Sequence, residues 1–513
     1  MMNRREFLQF LGISGVLAKI PAEAFAKTAI NSLPHLAANL EDKLLTVDGL
    51  QYKILMRWGD QINLTQKFGF NNDFIAFHPL QNDRGILWVN HEYVHPLFIN
   101  GNDRTKANVD AEMLEVGGSL IEVKKIKDEW VFIKDSQYNR RLDANTKIPF
   151  AWHTPIAGST VSIGTVSNCA GGKTPWGTIL TCEENYDMVW GDHDRKGNKT
   201  PSGQSWNMIY PRPPEHYGWV VEVEPLTGNA KKLISMGRCA HECAAVTKGK
   251  DGKVVAYTGD DANDEHLYKF ISDSKSSLEM GKLYVADLKK GEWISLDRKD
   301  QTILQKNFKD QTEIQIYTRE AAKLVGATPL ARPEDIEFDP LTGHVFVALT
   351  NNKNKNDYHG SILKIMENDN DPSSLKFSYE TFLTGGENSI FSCPDNMVFD
   401  TKGNLWFTTD MAASSIGKAP YEHFGNNGLY VFIRSGSHAG EVIRVASAPV
   451  DAEFTGPCFS PDYKTLFLSV QHPGESSLTK DNPTSSWPDG KIPKSCVVSI
   501  TGPVLNKIVQ GKL

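Results

Sequence analysis

One motif recurs through this chain and decides most of what it can become: a short apolar strand, a tight turn and a second apolar strand. The second strands fall at residues 86–89, 178–181, 254–257, 345–349, 405–408 and 466–470. Each is rich in β-branched and aromatic residues in strand-like runs. Turn residues precede them, as in Asp339-Pro340-Leu341-Thr342-Gly343, Asp400-Thr401-Lys402-Gly403-Asn404 and Ser460-Pro461-Asp462. Ahead of those turns lie the first strands, clearest at 336–338 and 397–399. Units starting at Val345, Leu405 and Leu466 are evenly spaced, whereas the first three lie farther apart and require long insertions. Six such hairpins predict an all-β chain: a six-bladed β-propeller with long loop insertions and a few short helices. The uneven early spacing leaves two β-sandwich domains as the competing arrangement. Residues 312–325, with Gly326 as a stop, read as helix. Residues 351–357 and 471–491 read as polar loops.

Composition narrows the function. The 513 residues are 40% hydrophobic and 23% charged, which suits a globular chain with a sizeable core. A net charge of −7 argues against duplex nucleic-acid binding, which needs a basic face for phosphates. No apolar run reaches the ~18 residues of a membrane span, so stable membrane insertion is not expected. The N-terminus carries Arg4-Arg5-Glu6-Phe7-Leu8, an apolar stretch over 10–20 and Ala24-Phe25-Ala26, the pattern of an export signal. The paired arginines resemble a twin-arginine signal. The expected organisation is therefore a signal over 1–26 and a single catalytic propeller domain over 27–513. Such a chain would meet the twin-arginine translocation machinery and act in the periplasm or outside the cell. No apolar heptad suggests a partner helix, so a monomer is expected. Seven cysteines leave at least one unpaired, available as a metal ligand.

Polar residues cluster where each hairpin begins and ends. Entries include Asp73, Cys169, His241-Glu242, Arg332 with Glu334-Asp335, Asp395 and Glu453. Exits include His91-Glu92, Glu183-Glu184, Asp260-Asp261, Thr409-Asp410 and Gln471-His472. A hairpin returns to the face it left, and a propeller gathers its inner strands on one axis, so these side chains should share one mouth. Crowded carboxylates repel one another unless cations bind between them. Oxygen donors suit hard ions such as Ca²⁺, which takes about 6–8 of them; a thiolate suits a transition metal. The candidate ligands are Asp73, Glu92, Cys169, Glu183, Glu184, Glu242, Asp260, Asp261, Glu334, Asp335, Asp395 and Glu453. Which of Glu183 and Glu184 faces inward stays open, as does whether His91 and His241 are merely buried. Cys169 is favoured as the thiolate because Gly171 and Gly172 let backbone approach a ligand; Cys182, ending an apolar strand, reads as core. Arg332 and Arg141 are candidate phosphate clamps, since guanidinium forks bind phosphate bidentately. Pairing of Arg332 with Glu334 is the alternative.

Several blocks together resemble the PhoX-type alkaline phosphatases: Thr174-Pro175-Trp176-Gly177-Thr178 leading to Cys182-Glu183-Glu184, Asn90-His91-Glu92-Tyr93, Gly259-Asp260-Asp261 with Tyr268-Lys269-Phe270, Gly326-Ala327-Thr328 before Arg332-Pro333-Glu334-Asp335, and Gln471-His472-Pro473-Gly474. The resemblance implies a six-bladed propeller that hydrolyses small-molecule phosphomonoesters with Fe(III) and Ca²⁺. It implies iron ligands at Cys169, Glu242 and Glu334, calcium at Glu184, Asp260 and Asp261, and phosphate contact by Arg332. Arg332, Glu242 and Glu334 are then the catalytic set, and a metal-bound oxygen is the expected nucleophile. A calcium-dependent propeller lactonase or phosphotriesterase, and a non-catalytic calcium-binding propeller, are the alternatives; neither gives Cys169 and Arg332 a task.

Overall fold

The computed structural model describes residues 33–81 and 83–513. The expected export signal at 1–26 lies outside them. Six antiparallel sheets form the body, and each expected hairpin supplies the first two strands of one sheet. Blade one runs Asn72–Pro79, Arg84–His91, Gly117–Ile126, Glu129–Phe132, with Arg140–Leu142 also paired to its third strand. Blade two is Asn168–Lys173, Ile179–Glu183, Val220–Val223, Ala230–Leu233. Blade three is Ala245–Lys248, Val254–Gly259, Leu267–Ser272, Gly281–Asp287, Glu292–Ser295. Blade four is Pro333–Phe338, Val345–Leu349, Ser361–Glu367, Phe377–Thr384. Blade five is Pro394–Phe399, Leu405–Thr409, Gly428–Phe432, Val442–Ser447, extended by Leu45–Thr46. Blade six is Glu453–Phe459, Leu466–Gln471, Cys496–Thr501, completed by Gln51–Arg57 from the other end of the chain.

The ring closes through the first strands. Asn72–Pro79 touches both Asn168–Lys173 and Glu453–Phe459, and Pro394–Phe399 touches the first strands of blades four and six. Apart from exposed Arg84, the second strands are buried along their whole length, as at Val345–Leu349 and Leu405–Thr409, because blades cover both their faces. Their apolar runs are therefore continuous rather than alternating. Core residues such as Trp88, Leu180, Tyr257, Val347, Trp406 and Leu468 fill the space between blades.

Helices belong to the insertions. The expected helix over 312–325 is two, Gln311–Ile316 and Thr318–Val325, broken at Tyr317. Asp310 caps the first by accepting from the Glu313 amide, and Gly326 ends the second in the left-handed conformation (φ 83°). Thr302–Asn307 precedes them as a helix the sequence pattern did not mark. No helix among the described residues is long and apolar enough to cross a membrane.

Candidate active site

The first strand of a blade does not begin as plain β-structure. In four blades the residue before it is a non-glycine residue with positive φ: Asn71 (40°), Ser167 (52°), Arg332 (54°) and Cys393 (55°). The pairing register then shifts over the next residues, between Asn72 and Ile75, Asn168 and Gly171, Pro333 and Ile336, and Pro394 and Met397. A bulge of this kind re-aims side chains. Here the re-aimed residue is Asp73, Cys169, Glu334 or Asp395, and all four line one cavity.

The exits are fastened to the same points. The amides of Glu92, Glu184, Asp261, Thr350 and Asp410 donate to the carbonyls of Asn71, Ser167, Ala240, Arg332 and Cys393, at 3.1, 2.9, 2.9, 3.1 and 2.9 Å. Entry and exit thus share a face because one hydrogen bond, repeated in five blades, ties them. In blade six His472 takes the exit position and sits 3.2 Å from Glu453.

The resulting cavity has a volume of about 210 Å³ and is open on one side. Asp73, Glu92, Cys169, Glu184, Glu242, Asp261, Arg332, Glu334, Asp395, Asp410, Glu453 and His472 surround it. Their donor atoms form three overlapping groups, each within 4.8 Å: Asp73, Glu92 and Cys169; Cys169, Glu184 and Glu242; Glu242, Asp261 and Glu334. The Cys169 thiol lies 3.4 Å from Asp73 and 3.3 Å from Glu242. Burial, reinforced by mutual repulsion, pushes Asp73, Glu184, Glu242, Glu334 and Asp395 well above the usual carboxylate range and Glu453 to about 8. Burial also raises the Cys169 thiol. Burial opposes a charge on His472, yet Glu475 and Glu453 hold its value well above that of a free histidine. Asp73 Oδ1 and Glu242 Oε2 are buried with no hydrogen-bond partner. Buried oxygens without donors, several carboxylates and one soft thiol fit a cluster of cations of mixed hardness.

Neighbouring side chains orient this set. Gln471 donates to Glu92 (2.7 Å) and Asp73 (3.3 Å), and Asn185 to Glu184 (2.7 Å). Thr350 donates to Glu334 (2.6 Å), while Asn396 donates to Asp395 (2.9 Å) and accepts from the Gly456 amide (2.6 Å). Arg332 meets Asp261 (2.7 Å), Glu334 (2.9 Å) and Asp410 (3.3 Å). The expected pairing with Glu334 therefore occurs, and the guanidinium still lines the cavity.

Four expected site residues do not reach it. Glu183 points the other way along its strand, where it binds Lys232 (2.6 Å) and the Trp219 amide (3.1 Å); Glu184 is the inward member of the pair. Asp335 alternates with Glu334 and accepts the amides of Ile336 and Met397 (2.8 and 2.7 Å). Asp260 is taken by Arg319, Nε–Oδ2 2.8 Å. Arg141 spends its guanidinium on the carbonyls of Gly118, Lys67 and Val116. His91 and His241 are buried and satisfied, His91 by Phe70 and Ser119, His241 by Gly237 and Thr258. Cys182 is core, and all seven cysteines are free. Asp410 and His472 lay among the exit residues without being singled out as ligands, and their signal was that shared position. Asn396 stood in the entry block Pro394-Asp395-Asn396 without being singled out, whereas Asn185 and Glu475 had no sequence signal.

No curated protein sequence matches the chain. Among solved structures, Pseudomonas fluorescens PhoX, in complex with vanadate as a transition-state analogue, superposes with a TM-score of 0.83 at 28% identity, over 91% of this chain and 97% of that one. A luciferin-regenerating enzyme (TM-score 0.36, 10% identity, 89% and 96% covered) and a Dyadobacter fermentans protein of unknown function (0.40, 10%, 89% and 99%) resemble it only remotely. The family described as alkaline phosphatase PhoX matches residues 32–474, from the N-terminal end of the described chain into blade six. A match that carries every entry and exit of the cavity, joined to that near-complete superposition, makes this chain an enzyme and a member of the PhoX alkaline phosphatase family.

Proposed function

We propose that the chain hydrolyses small phosphomonoesters in the six-blade cavity, with Fe(III) at the Cys169 end and Ca²⁺ among the remaining carboxylates. One observation carries this reading: Cys169 and Glu242 link three donor groups into one chain, each belonging to two of them, and the Arg332 guanidinium opens on the same space. Cys169, Glu242 and Glu334 would hold iron; Asp73, Glu92, Glu184, Asp261, Asp395 and Glu453 supply oxygens for calcium. Bound cations supply positive field and Lewis acidity to a phosphoryl group that bare carboxylates would repel.

The chain's own residues do the rest. Arg332 holds a phosphoryl oxygen through charge-assisted bonds. Gln471, Thr350 and Asn396 fix the carboxylates so that little reorganisation accompanies the reaction. His472 keeps its Nδ1 proton on the Asp451 carbonyl (2.9 Å) and faces Glu453 with Nε2, balancing that carboxylate. A cavity of about 210 Å³ fits the phosphoryl group, and the leaving group projects past Tyr93, Ala412, Ala413 and Glu475 at the open side. Thr455 is the sole Ser or Thr among the lining residues, and we assign it no nucleophilic part: water is the acceptor and no side chain is phosphorylated. The vanadate that the P. fluorescens relative binds as a transition-state analogue supports phosphoryl transfer as the reaction. Export by the twin-arginine route to the periplasm or beyond accords with the N-terminal sequence.

The test is hydrolysis of p-nitrophenyl phosphate by the purified chain supplied with iron and calcium. Turnover that survives in Cys169→Ala with unchanged metal content would remove the iron assignment.

A further inference from the structure

Asp261 is the cavity residue whose loop is held from outside the propeller. The loop leaves the blade-three strand Val254–Gly259 and returns at Leu267, and its charged residues Asp260 and Glu265 flank Asp261 on either side in sequence. Both are gripped by the insertion helix Thr318–Val325. Arg319 forms a two-pronged pair with Asp260 (Nε–Oδ2 2.8 Å, with Nη2 on Oδ1), and Lys323 pairs with Glu265 at 2.5 Å. Arg319 and Lys323 are four residues apart, hence on one helix face.

The same insertion also fastens the loop from its far end. Asp264 donates its amide to Leu330 (2.9 Å), Leu330 returns one to Glu265 (2.8 Å), and Asn263 bridges Ala331. The next residue is Arg332, which reaches back to Asp261 with two bonds (Nε–Oδ1 2.9 Å, Nη2–Oδ2 2.7 Å). Asp260 Oδ1 accepts the Ala240 amide (3.1 Å), so the stretch leading into Glu242 is tied to the same point. Asp260 is fully buried, and Arg319 is its charge partner. Without that partner a bare carboxylate would stand one residue from Asp261.

The geometry points to the helix Thr318–Val325 as a clamp that positions Asp261 and Glu242 for cation binding, with Arg319 and Lys323 as positioning residues. This rests on the reading of Asp261 as a cation ligand. It gives Asp260 a task outside the cavity and gives the helical insertion a part in the chemistry, although neither contact touches substrate. Outer residues that orient metal ligands typically change affinity or activity by about 10–100-fold when removed.

The test is calcium titration, by calorimetry, of the full-length chain stripped with a chelator. Calcium alone is the probe. Arg319→Met combined with Asp260→Asn removes both charges together, so neither is left buried without its partner; the calcium Kd should weaken by about tenfold or more. Lys323→Met should weaken it in the same direction by less. Lys269→Met with Glu367→Gln, a buried pair of which neither member lines the cavity, is the control: Tm falls and the calcium Kd stays that of wild type. A wild-type Kd in both clamp variants, whatever their Tm, overturns the clamp. Should the double variant not fold, Lys323→Met decides alone, with weakened binding in favour and unchanged binding against. A wild-type chain that binds no calcium removes the cation reading of Asp261, and the clamp falls with it; failure of the clamp alone leaves wild-type binding intact.

Discussion

Arg332 gathers several constraints in one residue. It adopts a left-handed backbone conformation (φ 54°) that non-glycine side chains resist, and such strain concentrates at functional positions. Its carbonyl accepts the Thr350 amide and its side chain meets three carboxylates. Replacing it by Ala removes the planar fork, and kcat/KM for p-nitrophenyl phosphate should fall by about 10²–10³-fold. Lysine restores charge without the fork and should recover only part of that loss; full recovery would make Arg332 a counter-ion rather than a phosphate clamp. Cys169→Ala should abolish bound iron and the visible thiolate-to-iron band together, read by absorption and elemental analysis. Acid quench during turnover of ³²P-labelled substrate should leave no label on protein. Label on Thr455 would contradict attack by water.

At the scale of strands and turns, the bulged entry and the exit amide explain what could be read from sequence and what could not. Residues one or two positions from a strand end were legible as belonging to the mouth, because six hairpins repeat the same outline. Parity inside each block was not. Glu183 and Glu184 are adjacent acids in the same block, and only the presence of Lys232 beneath one of them separates their roles. Asp260 and Asp261 differ in the same way through Arg319. Both partners come from segments distant in sequence. Arg141 shows the converse: an arginine at a strand end whose guanidinium is used up on backbone carbonyls.

The buried lysines of the blades also give a pH signature. Burial lowers Lys269 and Lys232 to about 8 despite the carboxylates of Glu367 and Glu183. Between that value and the ordinary one for lysine, the unfolded chain binds more protons than the folded one, so their contribution to stability grows as pH rises above about 8. Melting curves over pH 8–10 should show the gap between wild type and Lys269→Met/Glu367→Gln widening with pH. Parallel curves would mean that Lys269 titrates normally in the folded chain.

The whole molecule is a ring closed by its two ends. Gln51–Arg57 pairs with Cys496–Thr501 to finish blade six, covering the edge that Cys496–Thr501 would otherwise present. A chain truncated through Arg57 exposes that edge and should aggregate on expression; a monodisperse, fully active product would show that closure is dispensable. The propeller itself was legible because the second strands are continuous apolar runs at the heart of each blade. Two of its insertion helices were not, since Thr302–Asn307 and Tyr186–Trp190 take their stability from packing against other insertions rather than from their own pattern. What the ring accomplishes is convergence: carboxylates from six blades meet in one cavity, and cations make that arrangement tolerable. The direct test strips the purified chain of metal, then measures p-nitrophenyl phosphate hydrolysis against metal content as iron and calcium are returned. Activity should vanish with the metals and return only when both are bound; full hydrolysis by a chain shown to contain neither would contradict the account.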